Sequence, residues 1–155
     1  RTTRDLLDYV ARNGQNLHLE TGQESADHLL HFISDVGRRN LFINFDPANM
    51  IMYGTAEPIG ALEKMASQVI SVHVKDGNWP TPGDKTGLGV EMPLGQGAVG
   101  MENFVAKLKE IGYKGTLAIE REVALDQDMD DRHKEGLSHL DDIRQAIALM
   151  ERLRV

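Results

Sequence analysis

Apolar and polar residues alternate in four short runs, LHLE at 17–20, LFINFD at 41–46, VISVHV at 69–74 and TLAIE at 116–120. A period of two is the mark of a strand with one buried face. Between these runs, apolar residues recur at three- and four-residue spacing, the helical period. Leu6, Leu7 and Val10 predict a helix over 2–13, with Thr2 or Thr3 as its cap and Gly14 as its terminator. Ser25 is placed to cap a second helix carrying Leu29, Leu30, Ile33 and Val36, closed by Gly37. Further helices are expected over 58–68, with Ile59, Leu62 and Met65 inward, and over 102–111. A last helix from residue 138 onward carries Leu140, Ile143, Ile147, Met150 and Leu153 on one stripe. Pro47 and Asn49 mark a turn, and the polar stretch 124–136 is expected to be loop. Residues 77–100, rich in Gly and Pro, are too long for a simple connection and predict a functional loop over a site.

The order is one helix followed by four βα units, which requires a parallel sheet with right-handed crossovers, closed as a barrel or open and doubly wound. Strand alternation separates the two. One face carries Leu17, Leu19, Ile43, Phe45, Val72, Val74, Leu117 and Ile119; the other carries His18, Glu20, Asn44, Asp46, Ser71, His73, Ala118 and Glu120. Doubly wound strands are apolar on both faces, so a small or polar second face reads as a barrel interior. A complete (β/α) barrel takes ~250 residues, and four βα units are about half of one. The expected fold is therefore α/β, a parallel half of a TIM barrel, with residues 1–155 in a single domain.

Composition narrows the partners. The chain has 155 residues, 41% of them hydrophobic and 26% charged, as in an ordinary globular domain. Its 24 acidic against 17 basic residues give a net charge of -7, which argues against a nucleic-acid surface. There is no cysteine, so any metal must be held by oxygen and nitrogen. No run approaches the ~20 apolar residues of a membrane span and no signal region opens the sequence, which gives a cytoplasmic expectation. The start at Arg1, directly in a helical pattern, reads as part of a longer protein.

Each strand ends in a residue able to bind a metal: Glu20, Asp46, His73 and Glu120. Barrels of this kind place their active sites at the C-terminal ends of the strands. Three carboxylates and one imidazole suit Mn²⁺, Mg²⁺ or Co²⁺, with Zn²⁺ admitted but less favoured. Such an ion, holding a carbonyl and its neighbouring hydroxyl, would lower the cost of removing the α-proton to give an enediolate, with a carboxylate on each side as base and acid. Taken singly, each residue has a plainer role: a salt-bridging glutamate, a core histidine, an Asp-Pro turn. Their matching positions favour the metal site. Lys75 is placed to reach a substrate or to snorkel at the barrel rim, and Asn49, Gln23 and Arg121 either to orient hydroxyls or a phosphate or to serve as plain turn and surface residues. Trp79 would wall off the site or simply pack against its own loop. The acidic run DQDMDD at 126–131 lacks a calcium-loop spacing and reads as solvated loop.

At LHLETGQE, NFDPANM, SVHVKD, PLGQGAVGMENFVAKLKEIGYKG and LAIERE the sequence resembles the sugar phosphate isomerase/epimerase family, the xylose isomerase-like TIM barrels, aligned to their C-terminal half. The resemblance implies one divalent metal on Glu20, Asp46, His73 and Glu120, and the two glutamates as the catalytic acid/base pair. It implies an isomerase or epimerase of a sugar, a sugar phosphate or a related hydroxy-carbonyl compound. Epimerases of known sugar preference often carry a histidine where this chain has Asn49. Two other readings stand beside it: a non-catalytic half-barrel or scaffold, and a DNA-repair enzyme similar to endonuclease IV. Four strands alone would leave two open edges, so the expected partner is an N-terminal half-barrel or a second copy.

Overall fold

The computed structural model describes residues 1–83, 87–122 and 129–154, with side chains described throughout except at 129–138. Helix α1 (Thr2–Ala11) leads into β1 (Leu17–Glu20), α2 (Ala26–Val36), β2 (Leu41–Phe45), α3 (Pro47–Met52), α4 (Pro58–Met65) and β3 (Val69–Val74). There follow β4 (Asp76–Asn78), β5 (Val90–Met92), α5 (Met101–Glu110), β6 (Thr116–Ile119) and α6 (Met129–Leu153). Strands β1, β2, β3 and β6 pair in that order, all parallel, and β4 and β5 form a separate antiparallel pair.

The alternation is realised as expected. On β2, Leu41, Ile43 and Phe45 are buried while Phe42 and Asn44 are only half-buried. The helices cover the apolar face: Leu29, Ile33 and Val36 from α2, Leu62 and Met65 from α4, Phe104 and Leu108 from α5, and Leu149 and Met150 from α6 join one core with it. Phe45 and Phe104 stack with ring centroids 5.9 Å apart, tying β2 to α5. Helices on one face of a parallel sheet and a polar second face make a segment of a (β/α) barrel. Ser25 caps α2 by accepting from the His28 N–H, and Gly37 closes it in the left-handed conformation, φ 62°.

Several elements differ from expectation. Helix α1 starts from Arg1 with no side-chain cap, so neither threonine caps it; of its apolar residues Leu7 is buried and Leu6 is exposed. The Pro47–Asn49 turn is the opening of α3, because Asp46 caps it and proline suits its first position. Helix α4 ends at Met65, short of residue 68. Helix α6 begins at Met129 instead of 138, so much of the expected 124–136 loop is helix; residues 123–128, with the start of the acidic run, lie outside the described residues. Its buried face carries Ala146, Leu149 and Met150, and Leu140 and Ile147 are exposed. The long 77–100 stretch contains β5 and all of β4 but its first residue, packed on α3: the Gly89 N–H donates to the Met52 carbonyl at 2.7 Å.

Candidate metal centre

Glu20 ends β1, Asp46 follows β2, His73 lies on β3 and Glu120 follows β6. Strands β1 and β6 are three spacings apart, ~14 Å across a flat sheet. Yet one ligand atom from each of the four residues lies within 4.8 Å of all the others. Side-chain reach matched to strand position helps to close that gap. The two outer strands supply the long glutamates and the inner strands supply Asp46 and His73.

The contacts converge on one point. His73 Nδ1 lies 2.9 Å from Glu20 Oε1 and 2.5 Å from Glu120 Oε2. Asp46 is fully buried, and its two oxygens differ in role. Oδ1 accepts from the Ala48 and Asn49 N–H groups at 2.8 and 3.0 Å, capping α3, while Oδ2 faces Lys75 Nζ at 3.9 Å. The strand-to-helix corner is locked by Thr21, whose hydroxyl donates to the Asp46 carbonyl and accepts from the Asp46 N–H, both at 2.8 Å. Burial pushes the Asp46 carboxyl up to about 7, against the pull of the Asn49 N–H and the Lys75 ammonium; Glu120 and Glu20 push it further up.

These donors fit a divalent cation. Asp46 Oδ2 is buried and has no hydrogen-bond partner among the described residues, an arrangement that costs free energy unless a cation satisfies it; Glu120 Oε2 lies against His73 Nδ1. Glu20, Asp46, His73 and Glu120 would hold such an ion through three carboxylates and one imidazole.

Lys75 and Asn49, expected at the substrate, are brought to the cluster. Lys75 is 1% exposed; its Nζ pairs with Glu122 and lies 3.6 Å from Glu120 Oε1. Burial opposes its charge, but the bond to Glu122 and the charges of Asp46, Glu120 and Glu122 outweigh that and hold the ammonium above its ordinary range. Asn49 donates to the Thr21 carbonyl at 3.1 Å and to Glu20 Oε1 at 3.4 Å. Arg121 is engaged elsewhere, by Glu91 at 2.9 Å and Asp142 at 3.0 Å. Gln23 is exposed in the turn after β1, and Trp79 is 44% exposed beyond β4.

Four residues that sequence reasoning passed over support the centre: Thr21, Glu122, Glu91 and Asp76. Glu122 stands two residues beyond Glu120, as Lys75 does beyond His73, so period-two counting could have found it. Glu91 on β5 accepts from the Glu122 N–H at 3.2 and 3.3 Å, joining the long stretch to the end of β6. Asp76 accepts from the N–H groups of Gly77, Gly95, Gly97 and Val99 at 2.9 to 3.1 Å, fixing the PLGQG turn beside the strand that carries His73.

Residues 1–151 match the family described as xylose isomerase-like TIM barrel. The fold is similar to that of a xylose isomerase domain protein from Planctomyces limnophilus, at 51% identity and TM-score 0.87, over 98% of this chain and 51% of that one. A D-allulose 3-epimerase from a Methylomonas species, in complex with D-allulose, matches at 23% identity and TM-score 0.62, over 79% of this chain and 40% of its own. A xylose isomerase-like TIM barrel protein from Mycobacterium smegmatis, in complex with magnesium, matches at 24% and 0.62, over 79% and 42%. The chain thus spans about half the length of these proteins.

Proposed function

The chain belongs to the xylose isomerase-like TIM barrel family, and from that membership we propose that it supplies the metal-binding half of an active site that isomerises or epimerises a sugar or related hydroxy-carbonyl compound. The observation that carries this reading is the convergence of four ligand atoms within 4.8 Å of one another, with Asp46 Oδ2 buried and without a hydrogen-bond partner among the described residues. Glu20, Asp46, His73 and Glu120 would hold one divalent ion, Mn²⁺, Mg²⁺ or Co²⁺. The magnesium bound by the Mycobacterium smegmatis relative supports the choice of a hard cation. When bound, the ion polarises a substrate carbonyl and lowers the cost of taking the neighbouring proton.

The remaining steps fall to the protein's own groups. Glu20 and Glu120 approach the centre from opposite edges of the sheet, one from each side of His73. A carbon held between them can lose a proton to one carboxylate and regain one from the other through an enediolate. Return to the same carbon from the opposite face is epimerisation; return to the adjacent carbon is isomerisation. Asp46 is fixed by its cap and serves as a stationary ligand.

Local charge favours an unphosphorylated substrate such as a free ketose. Lys75 and Arg121, the basic residues nearest in sequence to His73 and Glu120, are each already paired with carboxylates. A phosphate would have to displace Glu122 or Glu91. The sugar bound by the Methylomonas relative is consistent with this choice.

The test is metal content and turnover of the protein that carries this chain. One equivalent of Mn²⁺, Mg²⁺ or Co²⁺ is expected, with turnover lost on chelation and in Glu120→Gln. In a substrate panel, a ketose should exceed its phosphate ester in kcat/KM. Absence of metal binding, with Glu120→Gln as active as the parent, would reject the assignment.

A further inference from the structure

Beneath the four ligands lies a second layer of side chains that connects the two glutamates to each other. Asn49, on α3, reaches Glu20 Oε1 through its Nδ2 at 3.4 Å, and its Oδ1 faces Lys75 Nζ at 3.5 Å. Lys75 in turn lies 3.6 Å from Glu120 Oε1. The ammonium is fixed on its far side by Glu122, whose own N–H is held by Glu91. The line Glu20, Asn49, Lys75, Glu120 therefore spans from one edge strand to the other, behind the point on which the ligands converge.

We propose that Asn49 and Lys75 form a brace that sets the separation and orientation of the two proton-handling glutamates, with Glu122 as its anchor. At Glu20 the brace holds the same oxygen, Oε1, that meets His73, whereas at Glu120 it divides the two oxygens. Glu120 presents Oε2 to the centre because Oε1 is drawn to Lys75, so it offers the ion one oxygen instead of two and leaves coordination room for a substrate. The inference rests on the metal-dependent reading of the same site and adds positioning residues to it. Lys75 acts through Glu120 and touches no substrate.

The brace makes an unusual pairing of outcomes. Lys75→Met removes a cation from beside two ligand carboxylates and frees Glu120 to bind with both oxygens, so Mn²⁺ should bind as tightly as in the parent or more tightly. With Glu120 turned from its working position, kcat should fall at least tenfold while KM changes little. Simple structural damage would weaken Mn²⁺ binding instead. Asn49→Ala should also lower kcat, and because both residues belong to one line, the double variant should be little worse than the poorer single one. Glu122 is exposed at the surface, so Glu122→Gln tests the anchor without a buried substitution, and should lower kcat with Mn²⁺ binding retained.

Mn²⁺ titration followed by electron paramagnetic resonance, together with steady-state kinetics, reads all of these. Weaker Mn²⁺ binding in Lys75→Met and Glu122→Gln, or fully additive losses in the double variant, would overturn the brace. Failure of the parent itself to bind Mn²⁺ would overturn the metal-dependent reading, a separately visible result.

Discussion

The two oxygens of Asp46 divide structure from chemistry: Oδ1 caps α3, and Oδ2 is buried without a hydrogen-bond partner among the described residues. Its carboxyl, pushed up to about 7 by burial, keeps a proton in the folded metal-free chain that the unfolded chain loses near 3.8. Between those two values the native state binds more protons, so metal-free stability falls as pH rises through that window, by up to ~4 kcal/mol. Saturating Mn²⁺ should reverse the trend above pH 7, since the ion binds only the ionised form. Asp46→Asn keeps a capping oxygen and removes the buried charge. It should raise the melting temperature of the metal-free protein at pH 8 while abolishing metal binding, and thermal melts with and without Mn²⁺ check both. Glu120→Asp tests reach instead of charge. It retains a carboxylate but shortens by one methylene the arm that must cross from an edge strand, so Mn²⁺ affinity by calorimetric titration should drop tenfold or more.

Among the elements, the β4–β5 pair and the turn after it depend on backbone crowding around Asp76. A Cβ on Gly97 would lie 2.2 Å from Asp76 Oδ1 and 2.6 Å from the Gly77 nitrogen. Neither can yield, because the carboxylate is held by four N–H groups. Gly97→Ala should therefore cost about 1–3 kcal/mol, read as a drop of ~2–4 °C in Tm for each kcal/mol. Gly60→Ala, inside α4 with only the flexible Glu57 carboxylate at 3.4 Å, should instead be neutral or stabilising. This contrast also marks how far the sequence could be read. The four parallel strands and the convergence of the residues that end them were legible because alternation survives in short runs and each of these residues closes one. The 77–100 stretch was recognisable as more than a connection, yet its strands were not, because DGN and VEM are too short to show a period. Helix α3 was hidden behind Asp46 and Pro47, which signal a turn and a helix start equally well. The roles of Lys75 and Arg121 were open because sequence shows where a cation stands and not which carboxylates fold against it.

As a whole, the described residues form a parallel sheet with two open edges. Strands β1 and β6 each pair on one side only among the described residues, leaving backbone donors and acceptors free to recruit another strand. Beside β6 a groove of about 460 Å³ is lined by Leu117, Ile119, Ile147 and Met150, and at the other end Leu6 and Tyr9 of α1 are 45% and 61% exposed. The polar face between them is an open hollow of about 340 Å³, walled by His18, Asn44, Ser71 and Ala118 together with Glu20 and His73. His18 Nδ1 and Ser71 Oγ are 2.8 Å apart there, so this layer is tied together and not merely exposed. Apolar surface at both ends and polar surface in the concavity are what a barrel wall needs when other strands close it. The 155 residues expressed alone should accordingly self-associate, and sedimentation velocity should show species heavier than 17.2 kDa that grow with concentration. Ile147→Lys, which places a charge in the groove from an already exposed position, should shift that distribution toward the monomer without lowering Mn²⁺ affinity, because the groove and the ligands lie on opposite faces of β6. A monodisperse monomer at all concentrations would mean that the edges are not sticky in water and that the sheet is stable without a second wall.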